Sequence, residues 1–158
     1  MIRIGLLAGG IGVLMVVVGV LIFLSDQQAR RSPFTPAVYP GLSEWGMNDV
    51  QSNSRTVFYR GADIAPDAVA EFYNQQLRNH YGDAEEQCVR VPATGEYPVN
   101  PNNPFAIPYQ FKCMFDNSGF NATQYTQVVI YPGYTNNPDP AVNLPGGTIV
   151  EYQQFWAS

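Results

Sequence analysis

Hydrophobic positions along this chain follow two regimes. From Ile4 to Leu24 they are continuous: twenty-one residues with no charge and no strongly polar side chain. A bilayer core of about 30 Å needs roughly 20 apolar residues of helix, so the run is long enough to cross one. Beyond it, apolar residues recur only at short spacings. Arg55–Arg60 is rich in strand formers. Val69, Phe72, Tyr73 and Leu77 then recur at helical spacing and form one face. Pro66 suits the first helical position, Asp67 and Glu71 suit the positive end of the dipole, and Gly82 is a stop.

Four more strand-like runs follow, at Gln87–Val91, Tyr109–Phe115, Gln124–Tyr131 and Thr148–Trp156. In the second, Phe111, Cys113 and Phe115 alternate with Gln110, Lys112 and Met114. Asp116-Asn117-Ser118-Gly119 reads as a turn joining two strands into a hairpin. The order is β-α-β-β-β-β. That predicts an α+β domain of two layers, a mostly antiparallel sheet with one helix across one face. The connections Pro92–Pro108 and Pro132–Gly147 are long and rich in Pro, Asn and Gly. Long loops of this kind are usually functional or disordered.

The predicted organisation is an anchor at 1–26, a Pro-rich linker at 27–47 and a domain at 48–158. Pro33, Pro36, Pro40 and Gly41 favour extended chain in the linker. The apolar run exceeds the roughly 7–15 residues of a signal peptide, and Gln27 replaces the small residue that cleavage after Ala29 requires. The run is therefore read as a retained transmembrane helix. Arg30 and Arg31 against Arg3 would place the C-terminal side in the cytoplasm. Opposing this, the residues from Pro33 onward carry five basic against twelve acidic side chains, with two cysteines placed to pair. A short N-terminal tail before a long domain is also the layout of a signal anchor. The expected topology is N-terminus cytoplasmic and domain extracytoplasmic, on the periplasmic side of a bacterial membrane.

Within the helix, Gly5, Gly12 and Gly19 are seven apart, with Ala8 and Gly9 beside them, and Gly5 to Gly9 is a G-x-x-x-G. Small residues on one face let helix backbones approach closely in lipid. This face is expected to pack on another transmembrane helix, from a second copy or another protein. The remaining surface suits lipid.

Cys88 and Cys113 fall on successive strands and are expected to form a disulfide outside the cytoplasm; the alternative is two buried thiols inside it. His80, the single histidine, sits where it complements the helix dipole. One histidine and two cysteines do not make a structural zinc site. Haem-attachment, phosphate-loop and G-x-S-x-G motifs are absent from the sequence. Carboxylates cluster at Asp63–Asp67 and Asp83–Glu86, near helix ends where such groups are solvated or cap. Asn121-Ala122-Thr123 fits a glycosylation sequon. No catalytic residue, metal or cofactor is expected, and the acidic domain does not suit nucleic acid.

Ten Tyr and nine Phe against one Lys mark the composition. Tyr97, Phe105, Tyr109, Phe120 and Tyr134 lie in or beside loops, where they serve either partner contact or self-packing.

The stretch Ala65 to Leu77, reading P-x-A-V-x-x-F-Y-x-x-x-L from Pro66 and closing at Tyr81-Gly82, resembles a module of small membrane-anchored bacterial proteins. In that module a strand leads to such a helix, then Gly, then strands. The layout also looks like single-pass accessory subunits of bacterial energy-transducing complexes, such as alternative complex III or photosynthetic reaction-centre assemblies. The resemblance implies a non-enzymatic accessory or scaffolding subunit of a larger bacterial membrane complex, an electron-transfer or photosynthetic one by that likeness; the alternative is a free-standing anchored binding or sensor domain.

Overall fold

The computed structural model describes residues 2–46, 48–82, 87–98, 107–119 and 122–157, with backbone only for 2–11. The apolar run lies in one helix, α1 (Ile2–Ala29). Two-residue strands β1 (Ser43–Glu44) and β2 (Asp49–Val50) precede β3 (Ser54–Gly61). Helix α2 (Pro66–Tyr81) is followed by β4 (Val89–Val91), β5 (Gln110–Asp116), β6 (Tyr125–Pro132) and β7 (Thr148–Phe155). The chain is thus α+β: an apolar N-terminal helix, and one open antiparallel sheet with one further helix.

The sheet runs β1-β3-β7-β6-β5-β4, with β2 also pairing β3. The first and last long strands are neighbours: Val57 lies opposite Tyr152, and Tyr152 opposite Val128. That pairing closes the domain between its ends. Every predicted strand is present, with β4 starting at Val89 rather than Gln87. β1 and β2 are additions to the predicted order. Two residues carry no readable alternation, so such strands leave no signal.

Helix α2 begins at Pro66 and ends at Tyr81, with Gly82, whose φ is 61°, as its cap. Val69, Ala70, Tyr73 and Leu77 are buried on the sheet's inner face with Val57, Phe111, Cys113, Phe115, Val128, Ile130, Val150 and Tyr152. Phe72 is only half-buried, because it turns sideways to meet Tyr39, ring centroids 5.3 Å apart.

Tyr39 belongs to the Pro-rich segment, which runs against the domain. Phe34, Val38, Tyr39 and Leu42 pack on the core. Ala37 exchanges two 2.9 Å hydrogen bonds with the Gln76 amide. Phe34's carbonyl accepts from Gln154 at 2.5 Å and from the Thr126 hydroxyl. A 2.6 Å contact joins the buried hydroxyls of Tyr73 and Tyr152, and Tyr152 also donates to the Ala37 carbonyl at 3.3 Å. Proline density foretold the extended backbone; the apolar residues between the prolines fasten it.

Candidate functional site

Both ends of the sheet carry features of interest. The β5–β6 turn, the chain's C-terminus and the end of α1 share one end. The loops from β4 to β5 and from β6 to β7 share the other.

At the far end, these two loops adjoin. Ile107 and Pro108 from one and Pro132 to Asn136 from the other line a small cleft. The β6–β7 loop folds over the outer face of the sheet. Val129, Tyr131 and Ile149 are buried there beneath Trp45, Phe58, Ile107, Tyr134 and Leu144. Gly147 permits the close approach: a Cβ there would lie 2.6 Å from the Gly61 carbonyl oxygen. Trp45, Gly46, Phe58, Tyr131 and Tyr134 leave an open depression of about 260 Å³. The Arg60 guanidinium stands 5.3 Å from the Trp45 ring centre, at one wall. Burial pushes the Tyr131 phenol well up, so it is a neutral hydroxyl. An apolar depression lined by two tyrosines, with a cation beside Trp45, suits binding of an apolar or aromatic group.

The sequence-derived contact residues divide. Tyr134 borders the depression and its ring lies 6.0 Å from that of Tyr131. Tyr97 is 42 % exposed, and its backbone N–H donates to the Pro108 carbonyl at 2.7 Å. Tyr109 is committed to the fold, with the Arg90 guanidinium 4.4 Å over its ring and Phe111 edge-on at 5.9 Å. Phe105 and Phe120 lie outside the described residues, as do Asp83–Glu86 and Asn121 of the sequon. Trp45 was not singled out from the sequence; a tryptophan before a glycine in a Pro-rich segment was its one local signal.

Cys88 and Cys113 are at disulfide distance, with S–S 2.04 Å and Cα–Cα 4.1 Å. Register explains this: Val89 faces Lys112, so the preceding pair falls together. His80 lies in the last turn of α2, its Nε2 2.8 Å from Asn117 Oδ1 and its ring 5.0 Å from Phe34. Gly12 and Gly19 of the glycine face meet nothing within 4 Å where a Cβ would stand; for Gly5, Ala8 and Gly9 only the backbone is described. Among the described residues no three His, Cys, Asp or Glu side chains gather to hold a metal ion.

At the near end, α1 is joined to the sheet. Gln124 is buried, and its Nε2 donates to the carbonyls of Ala29 at 3.1 Å and Ser32 at 2.6 Å. The Ala157 N–H donates to the Arg30 carbonyl at 3.2 Å. Arg30 pairs with Asp26 at 3.0 Å and fills the space beside Gly119. By length and composition, the Gly12–Ala29 segment of α1 is a candidate membrane span, and none of it is buried.

No known protein family, curated protein or solved structure matches the chain.

Proposed function

We propose that α1 is a membrane anchor and that the domain it carries is an extracytoplasmic scaffolding subunit of a larger bacterial membrane complex, an electron-transfer or photosynthetic one by its layout. One observation carries the reading. The apolar Gly12–Ala29 part of the helix is uncovered among the described residues, yet its C-terminal end and the next residue, Arg30, are hydrogen-bonded to Gln124 and Ala157, which flank β6 and β7. A tether needs no such joint. A subunit that must hold a partner at a fixed height and angle does.

The cysteine pair supports an oxidising compartment. The glycine face supplies a contact within the membrane, and the aromatic depression one outside it. The second reading, a free-standing binding domain, draws on that same depression, which is large enough for one aromatic ring system.

Co-purification in mild detergent separates the two. A scaffold retains a partner in fixed ratio, Gly12→Leu weakens retention, and Leu14→Ile does not. Close helix contacts in lipid are worth on the order of 0.5–2 kcal/mol each, so insertion itself should persist. A lone chain in every extract contradicts the scaffold.

A further inference from the structure

At the near end of the outer sheet face an aromatic pair and Met114 stand beside Gln127, and Met114 and Phe155 are exposed. Tyr125 and Phe155 lie opposite each other in register and stack, centroids 4.9 Å apart at 26°. Met114 stands on the neighbouring strand, one step along the same face. Phe155 is 40 % and Met114 42 % exposed. Trp156 follows Phe155 just past β7 and is half-buried, its N–H bonded to the Asn53 carbonyl at 3.1 Å. The one acid in the row, Asp116, is held by the Ser118 N–H at 2.8 Å and lies near enough to Arg30 to favour its charge. None of these aromatic residues belongs to the far-end depression.

We infer that Tyr125, Phe155 and Trp156, with Met114, form an interfacial foot that rests in the headgroup region of the bilayer entered by α1. Three observations select lipid as the occupant. First, the row lies at the end where α1 leaves the sheet, and Ala157, the residue after Trp156, is itself bonded to Arg30. Second, the joint at Gln124 keeps that end beside the last turn of the helix. Third, the residue types match: Tyr and Trp seat an apolar ring and a polar edge at the membrane–water boundary, while Arg31, next to the Arg30–Asp26 pair, suits phosphate headgroups. The foot rests on the reading of α1 as an anchor and adds a second membrane contact to it.

The two tryptophans permit a direct test. Trp45 and Trp156 both donate to carbonyls of the β3 side of the sheet, at Phe58 and Asn53. Five residues of strand place Trp45 about 17 Å farther from the α1 end. Full-length protein is reconstituted into phosphatidylcholine vesicles whose acyl chains are brominated near the headgroup, and vesicle flotation is run alongside. With Trp45→Phe, leaving Trp156, emission should fall roughly two-fold against unbrominated vesicles, as expected for an indole at the interface. With Trp156→Phe, leaving Trp45, it should barely change. The unaltered chain should show intermediate quenching, so the test does not depend on a variant folding. Flotation with Trp156 quenched no more than Trp45 overturns the foot alone. Failure to float overturns the anchor and the foot together.

Discussion

Gln124 donates from Nε2 to the carbonyl of Ala29 at 3.1 Å, joining the buried rim of the sheet to the last residue of the apolar helix. Helix ends leave their final carbonyls without intrahelical partners, and here Gln124, the residue before β6, supplies one. The same amide reaches Ser32 at 2.6 Å, so one side chain fixes both the helix end and the turn after it. Gln124→Leu keeps the volume and removes both donors. It should lower the stability of the detergent-solubilised chain by about 1–3 kcal/mol, the cost of stranding partly buried carbonyls. Thermal melts of the two proteins check this, and an unchanged midpoint would show that the joint is not structural.

The buried Tyr73–Tyr152 pair sets an alkaline limit. Burial raises Tyr73 from its ordinary 10.0 to about 12, and burial raises Tyr152 as well. The unfolded chain therefore ionises these phenols first. Their contribution is complete below pH 10 and is lost as pH climbs through about 12. Stability measured by denaturant titration should fall across that window. The double variant Tyr73→Phe, Tyr152→Phe should fall less steeply over it; equal slopes would mean that other groups govern alkaline unfolding.

The Cys88–Cys113 bridge spans a sequence separation of 25 and encloses the whole β4–β5 loop. Restricting a loop of that size in the unfolded chain is worth about 2–4 kcal/mol. An unreduced digest should yield the two peptides linked, and Cys88→Ser with Cys113→Ser should melt earlier by that amount. Two alkylatable thiols in native membranes would remove both the bridge and the compartment inferred from it.

Much of the fold was legible because its signals are local. Pro66 and Gly82 bracket α2 through their own backbone preferences, and Phe111, Cys113 and Phe115 announce β5 by alternation. The course of the Pro-rich segment was not legible in that way. Its contacts with Gln76, Thr126, Tyr152 and Gln154 reach from 39 to 120 residues along the chain, and no local pattern encodes them. Tyr134 and Tyr97 were singled out from loop composition; the structure sets Tyr134 at the depression and leaves Tyr97 exposed. The foot was not singled out: Tyr125 and Phe155 read as ordinary strand aromatics until the register set them side by side at the α1 end.

Everything proposed for this chain depends on α1 crossing a membrane and delivering the domain to its oxidising side. The direct measurement is a fusion after Ser158 to a reporter enzyme that is active only outside the cytoplasm, scored in intact cells beside the same fusion to a reporter active only inside. The account predicts activity of the first and silence of the second, in membranes that retain the protein after alkaline washing. Activity of the cytoplasmic reporter, or release of the protein by the wash, would contradict it.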